Sequence, residues 1–299
     1  MAGALYGKRG GTRKRITITG VVLFLLLSSW GLIIVVPFLN VVAISFTSQR
    51  EYLETPLLLW PKAPELRAYQ EIMKDSRIGT GYRTSVLIVL IGVPLSLFLS
   101  SATGYALSRK NYPGRKFFLY FVLFTMIFHG GIVPTYLVVR NLRLTNTIWS
   151  VILTGGMNTF YMILMFNYFG SLPESLMESA RLDGAGEWSI LFRIVLPLAL
   201  PIVATLTLFY TVDKWNEWFG AMIFIRKNSL QPLQLVLRSI VFDSITTTEN
   251  ASAMVFIERP FTTGIKMAAV IVTMLPIMLI YPFLQKHFAK GVMVGAIKA

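Results

Sequence analysis

From Ile16 to Gln49 the sequence carries no charged side chain. A helix needs about 20 apolar residues to cross the hydrocarbon core of a bilayer, whereas a signal peptide has an apolar region of only about 7 to 15. The run therefore reads as a retained transmembrane helix, from Ile16 to Ser45. Five further apolar blocks follow: Thr84 to Ser108, Phe117 to Val139, Ile148 to Phe169, Leu198 to Phe224 and Ile265 to Leu284. Within lipid, only helices and closed barrels satisfy every backbone group internally, and no block alternates as a barrel strand does. The expectation is an all-α membrane protein with six transmembrane helices in one domain over residues 1–299. With 55% hydrophobic residues, 14% charged and a mean hydropathy of +0.63, the chain is too apolar for a soluble domain of its length. Pro37, Pro94, Pro134 and Pro276 predict kinks that neighbouring helices repair.

A formal net charge of +14 raises nucleic acid as a partner. The basic residues, however, sit in short clusters between apolar blocks, where membrane topology uses them, so the expected partner is the lipid bilayer and not nucleic acid. Lys8, Arg9, Arg13, Lys14 and Arg15 precede the first block, and Arg109, Lys110, Arg115 and Lys116 follow the second. With six spans both clusters fall on one side, which the positive-inside rule makes cytoplasmic. That places the basic terminus 1–15 and the tail 285–299 inside, with long outer segments at 46–83 and 225–264. The chain has no cysteine, which excludes disulfides, thiolate metal sites and cysteine catalysis.

Between the fourth and fifth blocks lies a polar, patterned segment, from Glu174 to Pro201, within a loop at 170–197. Pro173 suits a helix start, Glu174 and Glu178 favour the first turns electrostatically, and Gly184 permits the turn where that helix ends. Trp188, Leu191, Phe192 and Val195 recur at three-to-four spacing, giving a second helix an apolar stripe to lay against the bundle. The charged side of the pair is left facing the cytoplasm.

This segment resembles the E-A-A loop of permease subunits in binding-protein-dependent ATP-binding-cassette importers. Glu178, Ser179, Ala180, Asp183, Gly184, Ala185, Phe192, Ile194, Leu196 and Pro197 fall on the family pattern, with Ser179 standing where alanine is commoner. The resemblance extends through the stretch after His129, the Lys214 to Trp218 block and the closing run from Lys290, which are similar to the carbohydrate-importing branch and to its six-helix, maltose-type second permease. It implies a type I importer permease fold in a bacterial cytoplasmic membrane. It implies that this chain forms half of a pathway for a sugar or oligosaccharide. The implied partners are a second, related permease chain, two nucleotide-binding ATPase subunits and an extracytoplasmic solute-binding protein. The Glu178 to Ala185 helix, with Phe192, would dock on an ATPase subunit. No G-x-x-x-x-G-K-[ST] phosphate loop occurs in the sequence, so ATP and Mg are expected on those partners and no cofactor on this chain.

Asp213, Lys214 and Glu217 interrupt the fifth block, and charges at that depth normally face the bundle interior or a water-filled cavity. Asp213 and Glu217, four apart, are expected on one helical face with Trp218 close by. The block Lys214, Trp215, Asn216, Glu217 and Trp218, together with Asn158 and Tyr161, reads either as pathway lining or as interhelical pairing that fixes packing. Arg226, Lys227, Arg238 and Arg259 read first as solvated loop surface and leave an anionic oligosaccharide open. His129 reads as packing or pathway lining. No nucleophile, base and orienting group assemble from these motifs, so a non-catalytic subunit is expected. The competing function is a transporter driven by an ion gradient, coupled at Asp213 and Glu217, although no duplication into two related halves accompanies it.

Overall fold

A computed structural model describes residues 18–55, 57–249 and 261–296, so the basic terminus at 1–15, Arg259 and the last three positions of the tail 285–299 lie outside the described residues. In chain order the helices are α1 (Ile18–Ser45), α2 (Gln49–Glu54), α3 (Arg67–Lys74), α4 (Ser76–Ser108), α5 (Arg115–Ile127), α6 (Ile132–Asn141), α7 (Trp149–Thr154) and α8 (Thr159–Gly170). Then come α9 (Glu174–Leu182), α10 (Glu187–Ile190), a π turn (Leu191–Val195), α11 (Leu196–Leu198), α12 (Leu200–Trp215), α13 (Phe219–Phe224), α14 (Leu233–Glu249) and α15 (Thr262–Ala296). No strand occurs among the described residues.

Among the described residues, three helices are each long and apolar enough to cross a membrane: α1, α4 and the Thr262–Ile280 part of α15. The other expected spans are not continuous. The third is the pair α5 and α6, bent by 115° at Gly130 and Gly131, where Gly131 takes a φ of +87°. The fourth is interrupted between Thr154 and Thr159. The fifth begins earlier than expected, as a Glu187–Leu198 segment bent by 88° against α12, and stops at Trp215 before α13 restarts it. The second expected span is longer: α4 begins at Ser76, eight positions ahead of Thr84, and so shortens the outer segment 46–83. The segment 225–264, expected outside, holds α14, which packs on α4 and α15 through Leu233, Val236 and Ile240.

Between helices surrounded by lipid the hydrophobic effect gives little, so close packing and hydrogen bonds must hold the bundle. The axis, α4, is built for this. Gly81, Ser85, Ser96, Ser100 and Gly104 are buried along it. A Cβ added to Gly104 would stand 3.2 Å from the Cβ of Met165 on α8, so only the bare backbone permits that approach. Asp75 caps the start of α4, accepting from the Arg77 N–H at 2.9 Å and pairing with the Arg77 guanidinium at 2.8 Å. The guanidinium holds the Asp75 carboxyl below its usual range. Asp75→Ala is expected to cost about 1 kcal/mol, read as a lower thermal midpoint of the detergent-solubilised chain.

Candidate functional site

At one end of the bundle, α9 and the segment from α10 form a hairpin. Pro173 sits at the N-cap of α9, with Glu174 in the first turn. The helix ends in a Schellman motif. The Gly184 N–H donates to the Arg181 carbonyl at 3.0 Å, and the Ala185 N–H to the Ala180 carbonyl at 2.9 Å. Gly184 carries the left-handed φ of +83° that this ending requires. One face of the hairpin buries Met177, Ile190, Leu191 and Val195 against Phe169 and Tyr105. The opposite face exposes Glu178, Ser179, Asp183 and Gly184, with Ala180 and Ala185 half-buried behind them. Glu178 makes no hydrogen bond or ion pair among the described residues, and Leu182, one turn on, is 89% exposed. Leu182 went unremarked in the sequence; its signal is an apolar residue on the Glu178 face instead of the Met177 face.

The hairpin is tied to the end of α4. Arg181 Nε donates to Glu187 Oε1 at 2.7 Å, and the Tyr105 hydroxyl donates to the other oxygen of Glu187. Hydrogen bonding by Arg181 is the main cause of the Glu187 carboxyl lying below its usual range, and the same pairing raises Arg181. Arg109 stacks 4.9 Å above the Tyr105 ring and donates to the Phe169 carbonyl at 3.1 Å. A cavity of about 560 Å³ opens between the hairpin and the α4–α5 link. The apolar stripe expected to lie against the bundle is split. Leu191 and Val195 are buried, but Trp188 and Phe192 are 60% and 49% exposed and stack with Phe98 of α4 at 6.0 and 6.5 Å. The π turn at Leu191–Val195 interrupts the simple 3.6-residue repeat that put all four on one face.

Farther along α4 the expected polar residues separate into three environments. Asn158 caps α8, its Oδ1 accepting from the N–H groups of Phe160 and Tyr161 at 2.9 and 3.3 Å. The Tyr161 hydroxyl donates to the exposed Asp213 carboxylate at 3.0 Å, so Asn158, Tyr161 and Asp213 form one surface. Lys214 and Trp215 point inward. Lys214 is 5% exposed and donates to the Gly155 carbonyl at 2.7 Å, while Trp215 Nε1 donates to the Thr273 carbonyl at 3.1 Å. Asn216 caps the end of α12, is exposed and accepts from Gln234 at 3.2 Å. The shared helical face expected for Asp213 and Glu217 does not form, because α12 ends between them. Glu217 Oε1 instead accepts from the Gly220 N–H at 2.7 Å in the first turn of α13. Trp218 lies 4.0 Å beneath the Arg238 guanidinium, away from Asp213. His129 lines a cavity of about 480 Å³ at the bend between α5 and α6, with Phe128, Phe219 and Phe224. No group of three or more metal-ligating side chains occurs among the described residues.

The depth of the Asp213 surface follows from α4. The Lys214 side chain crosses α4 at Gly92, midway between Ser76 and Ser108 and about 24 Å from either end at 1.5 Å per residue. An exposed carboxylate at that level is not a lipid-facing group, since a charge at the centre of a bilayer is expensive unless it meets water or protein.

The model of the family described as "Binding-protein-dependent transport system inner membrane component" matches residues 84–294, which take in this surface and the hairpin. Among curated proteins, the polygalacturonan/rhamnogalacturonan transport system permease protein YtcP of Bacillus subtilis is 40% identical over 90% of this chain and 94% of its own length. The protein LplC of the same organism is 39% identical over 92% of each chain. The diacetylchitobiose uptake system permease protein NgcG of Streptomyces coelicolor is 30% identical over 91% of this chain and 87% of its own. Among solved structures, a chain of a bacterial ABC transporter involved in the import of the acidic polysaccharide alginate superposes with a TM-score of 0.82 at 29% identity, covering 92% of this chain and 98% of that one. The architecture is the type I importer permease fold, and the chain belongs to the family of inner-membrane components of binding-protein-dependent transport systems.

Proposed function

We propose that the chain is a non-catalytic permease subunit of an ATP-driven importer that carries oligosaccharides bearing uronic acids into a bacterial cell. The observation that carries the reading is the hairpin. It presents an unpaired carboxylate, Glu178, beside an almost fully exposed leucine, Leu182, on a scaffold pinned by Arg181, Glu187, Tyr105 and Arg109. A rigid, half-apolar, half-charged tip of that kind fits a cleft in another protein. In this reading that protein is one of two ATPase subunits, which bind ATP and Mg. Glu178, Ser179, Ala180, Asp183, Gly184 and Ala185 form the docking tip, and Phe192 supports it from behind.

The remaining parts follow from the same assembly. A second, related permease completes the pathway, and an extracytoplasmic binding protein delivers the substrate. Asn158, Tyr161, Asp213 and Asn216 line the pathway, where carboxylate, amide and phenol groups bond sugar hydroxyls. The termini and the segment 170–197 are cytoplasmic, and 46–83 and 225–264 lie outside. An acidic substrate is supported by the relatives named for polygalacturonan and alginate, and by Arg226, Lys227 and Arg238 at the opposite end of the bundle from the hairpin.

The test is purification from the native membrane in mild detergent, identification of co-purifying chains, and reconstitution with the cognate binding protein and oligogalacturonides. The expected result is a complex with an ATPase and a second permease whose ATP hydrolysis rises with loaded binding protein. A lone chain that moves sugar under an ion gradient, indifferent to ATP, overturns the reading.

A further inference from the structure

The two ends of the interrupted fourth span are held by one face of α12. On the α7 side, Lys214 Nζ donates to the carbonyls of Gly155 at 2.7 Å and Ile152 at 3.4 Å. On the α8 side, the Tyr210 hydroxyl accepts from the Asn158 N–H at 3.1 Å and shares a 2.6 Å bond with Ser100 of α4. Tyr210 and Lys214 are four residues apart, so they lie one above the other on α12, and both are buried. Such partners matter, because breaking a helix at membrane depth frees carbonyls on one side and N–H groups on the other, which protein groups or pathway water must then meet.

The lysine lies closely against two residues that lack side chains, so a methyl group at either would displace it. A Cβ on Gly92 would stand 3.3 Å from Lys214 Cε, and one on Gly155 would stand 2.8 Å from Nζ. No carboxylate lies within ion-pair distance of Nζ among the described residues, so the hydrogen bonds of the cation go to the end of α7 instead of to Asp213 or Glu217. A cation at a helix C-terminus is also favoured by the helix dipole, although α7 is short.

We propose that Lys214 is a positioning residue. With Tyr210 it splints the interruption of the fourth span and so fixes Asn158, Tyr161 and Asp213 on the pathway face. Because α12 continues from the hairpin through the bend at Ala199, the splint also makes the break move with α12 when the hairpin moves. The proposal rests on the reading of that face as pathway.

The test uses the assembled importer in proteoliposomes. Lys214→Met keeps length but removes the donors, and Lys214→Arg keeps donors and charge. Because the chain has no cysteine, Thr154→Cys beside the break serves as a single reporter for a water-soluble maleimide. With methionine, transport per assembled complex is expected to fall by about 10-fold or more, the loss typical of a charged hydrogen bond. ATP hydrolysis stimulated by loaded binding protein persists, the reporter reacts faster, and arginine restores much of the transport. A merely structural lysine gives a different pattern: fewer assembled complexes, but unchanged transport per complex and unchanged reporter rate. That result overturns the proposal. If the methionine variant does not assemble, Gly155→Ala displaces Nζ while keeping the charge, and unaltered transport and reporter rate there also overturn it. If wild-type complexes move no sugar, the functional reading fails by itself, and the reporter rates still decide whether Lys214 holds the break.

Discussion

Glu178→Ala is expected to cut transport at least about 30-fold while leaving the chain itself as stable as before. Glu178 makes no hydrogen bond or ion pair among the described residues, so its removal strands no partner there. In the assembly, a docked carboxylate would pair with a cation of the ATPase subunit. Removing one member of a buried interfacial pair costs about 2 to 5 kcal/mol, mostly from the partner left unpaired, and 2 kcal/mol is about 30-fold. The measurements are sugar uptake and ATP hydrolysis by the reconstituted complex, beside thermal unfolding of the isolated chain. Uptake at the wild-type rate would remove Glu178 from the coupling face. An unchanged thermal midpoint beside lost uptake separates coupling from folding.

Gly184→Val acts on the same tip by a different route. With φ at +83°, Gly184 occupies backbone space that a β-branched residue enters at a cost of about 1 to 3 kcal/mol. Escaping that strain means giving up the two hydrogen bonds that end α9, from Gly184 to Arg181 and from Ala185 to Ala180. Either way the turn carrying Glu178 and Leu182 shifts relative to Met177, which is anchored in the core. The expected result is loss of the ATPase subunits from the purified complex, quantified by their ratio to the permease. Gly184→Asn should be milder, because asparagine tolerates the left-handed region better than valine. Equal ATPase content in both variants would mean that the tip does not depend on this turn.

The hairpin was legible because its rules are local. A proline at the start, acids in the first turn and a glycine at the end are statements about a few consecutive residues, and Gly184 behaves as they predict. The interruption at Gly155 to Asn158 was not. Glycine reads as neutral on a hydropathy count, and the groups that repair the break, Lys214 and Tyr210, lie more than fifty positions downstream. Lys214 read as either pathway lining or interhelical pairing, because its partners are backbone carbonyls, which leave no mark in a side-chain pattern. Glu217 was misplaced for a different reason: four-residue spacing implies a shared face only while the helix lasts, and α12 stops at Trp215. The apolar positions Leu233, Val236, Leu237 and Ile240 carried the helical repeat of α14, but the segment's place between the fifth and sixth apolar blocks made it read as an outer connection.

The sharp turn at Ala199 gives α12 the geometry of a lever arm. One end leaves the hairpin at nearly a right angle, and the other carries Lys214 and Asp213. At 1.5 Å per residue the arm from Ala199 to Lys214 is about 22 Å long, so a tilt of about 10° sweeps its far end through about 4 Å. That exceeds the length of the hydrogen bond between Tyr161 and Asp213. In the proposed assembly a small tilt at the hairpin is therefore amplified into several ångströms at the level of Asp213, and the Lys214 and Tyr210 contacts pass that displacement on to the interrupted fourth span.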